Sequence, residues 1–231
     1  MKREIIPKHI AIIPDGNRRW AKSRHLPMFF GHKKGVEVME NICYAALDRG
    51  VKVLTFWAFS TENWKRTAKE VNYLIKLFVE VFRNRLNKFH KENVKLVVSG
   101  KIEEFPKELQ EEIKKAVEKT KRNTRGIVHF CLNYGGRTEI VDVVKKLLKK
   151  RISPNKVNQK MISDNLYTPG LPEPDLVIRT SGEQRLSGFL TWQSVYSELL
   201  FVAKHWPAFT EKDLNLAIEE FSRRNRRFGG N

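Results

Sequence analysis

His9-Ile10-Ala11-Ile12-Ile13-Pro14-Asp15-Gly16-Asn17-Arg18-Arg19-Trp20 is the stretch from which the rest of the chain can be read. Ile10 to Pro14 is a short apolar run of the length of a buried strand. Asp15-Gly16-Asn17 interrupts it, with a glycine that allows a tight turn, and Arg18 to Arg24 is compatible with a helix. A strand that turns sharply into a helix presents free backbone N–H groups at the helix start. Those groups form an anion site, which Arg18 and Arg19 would reinforce. Asp15 stands beside it. A carboxylate among arginines next to a phosphate pocket suits Mg²⁺, which commonly takes one or two carboxylates plus phosphate oxygens. The residues alone equally allow a turn in which Asp15 caps the helix.

The same alternation continues outward. Gly35 to Arg49 carries apolar residues at helical spacing and is closed by Gly50, and Val51 to Ser60 is strand-like. Thr67 to Glu92 predicts a long helix, Val94 to Ser99 a strand, and Pro106 to Thr124 a helix with proline at its start. Ile127 to Tyr134 reads as a strand and Thr138 to Lys150 as a helix. Ser153 to Pro174 is polar and proline-rich, with a short helix near Val157 to Asn165. Leu176 to Thr180 and Glu198 to Val202 complete the strands, and Thr210 to Arg226 is a closing helix capped by Thr210. Strands alternating with helices predict an α/β fold: a mostly parallel central sheet flanked by helices. No repeat or flexible linker divides residues 1–231, so one domain is expected. In such sheets ligands bind beyond the carboxyl ends of the strands.

Composition sets the outer limits. The chain has 231 residues, of which 41% are apolar, as in an ordinary globular protein. Cys43 and Cys131 both fall in apolar patterns and read as buried thiols, which favours a reducing intracellular setting. No apolar run approaches the ~18 residues of a membrane-spanning helix, and the N-terminal stretch does not read as a signal peptide. Lysine and arginine outnumber acidic residues by 44 to 26, a net charge of +18 that calls for an anionic partner. Nucleic acid, a membrane surface and phosphorylated small molecules all satisfy that requirement.

Two further constellations follow strands. Phe59-Ser60-Thr61-Glu62-Asn63-Trp64-Lys65-Arg66 offers a hydroxyl, a carboxylate, an amide and an arginine. Alone it would pass for a polar loop whose serine and asparagine satisfy their own backbone. Arg179 lies at the end of the Leu176 to Thr180 run, and Arg185 and Ser187 lie in the glycine-containing loop that follows. Two guanidinium groups and a hydroxyl make a diphosphate clamp. Glu198, before the last strand, is a candidate second metal ligand, although a salt bridge to a basic neighbour would explain it as well. No Gly-x-x-x-x-Gly-Lys-Ser/Thr loop, zinc-ligand spacing or Cys-x-x-Cys pair occurs.

With these residues in view, the chain resembles the cis-prenyltransferases, the undecaprenyl and dehydrodolichyl diphosphate synthase family. HIAIIPDGNRRWAK, FGHKKG, TFWAFSTENWKR, LNYGGRTEI, PDLVIRTSGEQRLSGFLTWQSVYSEL and RRNRRFGG carry the resemblance, from His9 to Gly230. It implies condensation of isopentenyl diphosphate onto an allylic diphosphate primer, giving a long cis-polyprenyl diphosphate, a lipid carrier precursor for glycan synthesis. The absence of an Asp-Asp-x-x-Asp cluster separates the chain from trans-prenyl synthases.

The resemblance implies that Asp15 binds Mg²⁺ and assists departure of the allylic diphosphate. Gly16, Asn17, Arg18, Arg19 and Arg66 would hold that diphosphate, with Trp20 and His32 nearby. Ser60 and Asn63 would help proton removal. Arg179, Arg185 and Ser187 would hold isopentenyl diphosphate, with Glu198 supporting the metal. Phe59 and Trp64 would shape the mouth of a hydrophobic tunnel between the sheet and two helices. The resemblance further implies a homodimer in which Arg227 reaches the partner's site, and a cytoplasmic enzyme that touches the membrane surface to release product. Two positions depart from the common pattern. Met28 stands where an arginine is usual, which makes Arg24 a candidate replacement, and Gln184 stands where many members have histidine. Two rivals are a nucleic-acid-binding protein, for which no motif appears, and a non-catalytic partner subunit, which should have lost Asp15.

Overall fold

A computed structural model describes residues 4–224. Six parallel strands form one sheet in the order β3-β4-β2-β1-β5-β6. They are β1 (His9–Ile13), β2 (Val53–Ser60), β3 (Val94–Ser99), β4 (Gly126–Tyr134), β5 (Leu176–Arg179) and β6 (Glu198–Phe201). The helices are α1 (Asn17–Lys22), α2 (Met28–Asp48), α3 (Ala68–Lys91), α4 (Lys107–Thr120), α5 (Gly136–Lys149), α6 (Gln159–Asn165) and α7 (Glu211–Arg223). The expected alternation and parallel sheet are both present.

The two-residue period of β1 divides the core. Ile10 and Ile12 point into a large cluster with Ile42, Phe56, Phe78, Phe82, Leu214 and Ile218, so α2, α3 and α7 cover that face. Ala11 and Ile13 point the other way, toward Val177, Tyr134, Phe189 and Leu190. Beyond them α5 and α6 meet through Val143, Leu147 and Leu166. Cys43 and Cys131 are both fully buried free thiols, as their surroundings in the sequence predict.

Most helix boundaries fall near their expected places, and Thr210 caps α7 by accepting from the Asp213 N–H. The main difference is α2, which begins at Met28 instead of near Gly35. Glycine normally weakens a helix interior. Here Gly31 and Gly35, one turn apart, are where α1 crosses α2. A Cβ at position 31 would lie 2.0 Å from the Asn17 carbonyl oxygen, and one at position 35 would lie 2.3 Å from Asn17 Oδ1. The glycines of the FGHKKG segment therefore bring α1 and its arginines onto α2.

The chain leaves β1 toward β2, β4 and β3, then returns to lay β5 and β6 on the other side of β1. The carboxyl ends of β1, β2 and β5 thus border the point where the winding reverses, the usual ligand position in an open α/β sheet.

Candidate active site

Asp15 follows β1, Ser60 ends β2 and Arg179 ends β5. Gly16 makes the turn into α1 with φ of 100°, and a Cβ there would lie 2.7 Å from Ser181 Oγ and 2.8 Å from His205 Nδ1. Those two side chains hydrogen-bond at 2.7 Å and back the turn from behind. No larger residue fits at position 16 without displacing them.

Asp15 is held from two sides. Arg179 donates to its Oδ2 at 3.0 Å, and Arg19 pairs with its Oδ1 at 3.1 Å. Burial works to raise the Asp15 carboxyl pKa, yet hydrogen bonds from Arg179 and Arg19, together with their charge, hold it below the ordinary aspartate value. Arg179 also donates to Ser187 Oγ at 2.8 Å and to the Arg185 carbonyl, so its terminal nitrogens bind the loop and Asp15 together. Glu183 closes the chain of charges, accepting from Arg19 at 2.9 Å and from Arg185 at 2.5 Å.

A second basic group gathers opposite. Arg18 comes from α1, His32 from α2, and Arg66 from the turn before α3. All three converge on Glu70 in the first turn of α3. Arg66 approaches its carboxylate at 2.8 Å, His32 Nε2 at 3.2 Å and Arg18 at 3.4 Å. Burial lowers the pKa of His32, helped by the Arg66 charge and opposed by Glu70. His32 is therefore a neutral ring that donates from Nε2 at physiological pH. Burial likewise lowers the pKa of Arg66, with Glu70 opposing.

Both groups line one cleft of about 600 Å³, whose walls include Asp15, Gly16, Asn17, Arg18, Arg19, His32, Ser60, Asn63, Arg66, Arg179, Arg185 and Ser187. Beyond the charged mouth the wall turns apolar, with Val36 and Met39 from α2, Ala58 from β2, and Leu74, Leu77 and Phe78 from α3. Ser60 and Asn63 line the cleft and also bond locally, the Ser60 N–H donating to Asn63 Oδ1 at 3.0 Å. The bland reading of that loop and the functional one are thus compatible.

Several expected residues lie elsewhere. Glu198 does not join Asp15 within the subunit. It pairs in register with Leu176 at the amino end of β5, about 10 Å along the strand from the level of Arg179. Its carboxylate bonds to Arg224 at 3.0 Å, so the salt-bridge reading describes its position. Arg24 does not replace the arginine absent at Met28: it stacks over Trp20 at 4.5 Å, and neither residue lines the cleft. Phe59 is fully buried and forms no mouth. It packs with Trp64, Phe78 and Phe105 at ring separations of 5.2, 6.2 and 5.5 Å, backing the cleft wall through Phe78. Arg227 lies outside the described residues.

Glu70 and Glu183 are the functional neighbours that sequence reasoning missed. Thr67-Ala68-Lys69-Glu70 fits the capping-box pattern, in which the glutamate would reach back to the cap N–H. Thr67 does accept from the Glu70 N–H, but the Glu70 carboxylate turns to Arg18, His32 and Arg66 instead.

No group of three or more His, Cys, Asp or Glu able to cage a metal exists among the described residues. The donor set still fits one class of ion. Asp15, a cleft-lining carboxylate among arginines, suits a hard cation that arrives with phosphate oxygens as its other ligands.

Residues 13–229 match the family model for undecaprenyl diphosphate synthase. The isoprenyl transferase of Streptococcus mutans is 50% identical over 238 residues, covering 100% of this chain and 96% of that protein. That of Clostridium perfringens is 48% identical over 229 residues, with 97% and 90% covered. Lavandulyl diphosphate synthase from Lavandula x intermedia, solved with dimethylallyl diphosphate, superposes with a TM-score of 0.94 at 33% identity over 99% of this chain and 100% of that one. A Campylobacter jejuni structure described as a probable undecaprenyl diphosphate synthase superposes with a TM-score of 0.82 at 31% identity, with both chains fully covered. A parallel sheet that places Asp15 and two arginine groups at the mouth of an apolar cleft, in a chain half identical to isoprenyl transferases along its whole length, belongs to the undecaprenyl diphosphate synthase family of prenyltransferases.

Proposed function

We propose that the protein condenses isopentenyl diphosphate with an allylic diphosphate, repeatedly, to build a cis-polyprenyl diphosphate. One observation carries this reading: two cationic groups flank Asp15 where a polar mouth opens into an apolar cleft. A diphosphate fits the mouth and a hydrocarbon chain fits the wall.

Arg18, Arg66 and the N–H groups at the start of α1 would receive the allylic diphosphate. Arg185 and Ser187 would receive that of isopentenyl diphosphate, while Arg179 fixes the loop carrying them. Cleavage of the allylic C–O bond moves an electron pair onto diphosphate, and guanidinium groups in place beforehand stabilise that growing charge. The isopentenyl double bond supplies the pair for the new C–C bond, and a proton then leaves the adjacent carbon. Ser60 and Asn63 stand at the cleft wall where that proton would depart. Holding the two substrates in contact is the larger part of the task. Mg²⁺, held by Asp15 and phosphate oxygens, would supply further charge neutralisation at the leaving group.

We assign the chain to a homodimer on a second observation. Val141, Val144 and Leu148 form an exposed apolar stripe on α5, and Val195 and Tyr196 are 70% and 58% exposed nearby in sequence to Gln193, which bonds to Glu139 of the same helix. No helix among the described residues is long and apolar enough to cross a membrane. The net charge of +18 favours contact of a cytoplasmic enzyme with an anionic membrane surface during product release.

The test is incubation of the purified chain with isopentenyl diphosphate, an allylic diphosphate and Mg²⁺, followed by lipid extraction. Wild type should yield cis-polyprenyl diphosphate, and Asp15→Ala should lose turnover by about a hundredfold or more. No elongated product from wild type, or near-normal turnover by Asp15→Ala, would refute the assignment.

A further inference from the structure

Glu70 is 2% exposed, yet it meets three cationic or hydrogen-donating side chains from three different parts of the chain. A buried carboxylate in a helix's first turn is favoured by the helix dipole and by hydrogen bonds, but it needs no arginine from 52 residues away for that purpose. Its two oxygens are divided: Oε1 takes Arg66 and His32, and Oε2 takes Arg18. Arg18, His32 and Arg66 all line the cleft, whereas Glu70 does not. The carboxylate therefore stands behind the cations and faces away from any ligand.

We propose that Glu70 is the positioning residue of the allylic-diphosphate half-site. It fixes Arg18, His32 and Arg66 from behind, so that the remaining donors of the two arginines converge on one diphosphate with the His32 ring held beside them. The assignment of the half-site rests on the function proposed above; the positioning itself rests on the geometry.

The placement decides the sign of the effect. An acidic group lining the cleft would compete with an anionic ligand, and its removal would tighten binding. A buried acidic group behind the cations instead restricts long, flexible side chains to one geometry, and its loss returns their freedom to be ordered by the ligand. Glu70→Gln keeps the size and one acceptor oxygen but replaces the other by an amide N–H₂. Whichever way the amide turns, Arg18 or Arg66, which can only donate, then loses its acceptor.

Two measurements on the full chain test this. Calorimetric titration with inorganic diphosphate reads the half-site without any prenyl transfer. Glu70→Gln should weaken it about tenfold, equivalent to about 1.4 kcal/mol. In steady state the same variant should raise KM for the allylic diphosphate about tenfold while KM for isopentenyl diphosphate stays within about twofold. Thr67→Ala provides the structural control: it removes the cap of α3, lowers the melting temperature and should leave both KM values in place. A double-mutant cycle with Arg18→Gln supplies a second reading, since the two losses should be less than additive if Glu70 acts through Arg18. Unchanged diphosphate binding in Glu70→Gln, equal shifts in both KM values, the same KM pattern in Thr67→Ala, or full additivity in the cycle would each overturn the proposal. A wild-type chain that binds diphosphate but makes no prenyl chain refutes the transferase assignment alone, because the calorimetry still decides the role of Glu70.

Discussion

Glu183 lies 2.9 Å from Arg19, between that arginine and Arg185, on the wall of the cleft. Its carboxylate stands where an anionic ligand would meet the same two guanidinium groups. Hydrogen bonds from Arg185 and Arg19, together with their charge, hold its pKa below the ordinary glutamate value, so it is ionised throughout the neutral range. A diphosphate entering the cleft must therefore exchange with Glu183.

Glu183→Gln should accordingly tighten the binding of inorganic diphosphate. Exposed ion pairs are weak, so the gain should be modest, roughly two- to fivefold. This is opposite in sign to the effect expected at Glu70, although both residues are glutamates bound to arginines. Weaker binding by Glu183→Gln in a direct titration would show that the carboxylate orders Arg19 and Arg185 instead of competing for them.

A second prediction concerns acid stability. His9, Thr55 and His129 form a buried chain across β1, β2 and β4. His9 Nδ1 faces the Pro172 carbonyl at 2.7 Å, and a carbonyl only accepts, so this nitrogen carries the proton. Nε2 must then accept from the Thr55 hydroxyl at 2.7 Å, whose oxygen receives the His129 Nδ1–H at 3.0 Å. Both rings are neutral. Burial lowers the pKa of His9 to about 4, against the pull of Asp175, and that of His129 to about 3. In the unfolded chain both titrate near 6.5. The unfolded state thus binds more protons as pH falls below 6.5, and the native state loses stability down to about pH 4. The slope is at most about 1.4 kcal/mol per pH unit for each ring. His9→Gln, which can still donate to Pro172 and accept from Thr55, should flatten the dependence of the urea midpoint between pH 6.5 and 4. An unaltered slope would mean that His9 carries no such linkage.

Product length should depend on the apolar wall. Leu74 and Leu77 on α3 face the cleft, while Ala46 on α2 is fully buried and lines no part of it. Leu77→Trp should shorten the product without abolishing the first condensation, as read by chromatography of the extracted lipids. Ala46→Leu would overpack the core and cost about 1–3 kcal/mol of stability with no change in the product distribution. Full-length product from Leu77→Trp, or shortened product from Ala46→Leu, would relocate the growing chain away from the α2–α3 wall.

The sequence made the sheet legible because each strand is a short apolar run ended by a turn residue, and both faces of a parallel sheet are buried. The positions of Asp15 and Arg179 followed from that, since Asp15 comes just after β1 and Arg179 ends β5. The start of α2 was not legible: Gly31 and Gly35 look like breakers unless the approach of Asn17 is known, and that contact joins two separate helices. Glu70 was hidden for a related reason. Its local pattern specifies a helix cap, and only the tertiary crossing of α1, α2 and α3 redirects the carboxylate to Arg18, His32 and Arg66. Glu198 is the opposite case. Its place at the start of a strand was readable, but the level of that strand against β5 is a property of sheet register, which places it, within the subunit, at the far end from Asp15.

The last prediction concerns assembly. Val141, Val144 and Leu148 recur at helical spacing along α5, and Leu148 is 70% exposed. Fully covering an apolar side chain of this kind contributes roughly 1.5–3 kcal/mol, so a stripe of three can contribute to holding two copies together. Leu148→Glu should shift the chain from dimer to monomer in sedimentation velocity, while the melting curve of the monomer stays cooperative because Leu148 contributes little to its own core. The expected reach of Arg227 into the partner's site gives this a functional reading. A chain lacking residues 226–231 should still dimerise through α5 and should lose most of its activity. Mixed with full-length Asp15→Ala, it should recover activity, because one site of the mixed dimer combines an intact Asp15 with the partner's intact tail. The same mixture made with Leu148→Glu in both chains should recover nothing. Recovery in that control would show that the tail acts without the α5 interface, and absence of recovery in the first mixture, with subunit exchange demonstrated, would show that each tail serves its own subunit.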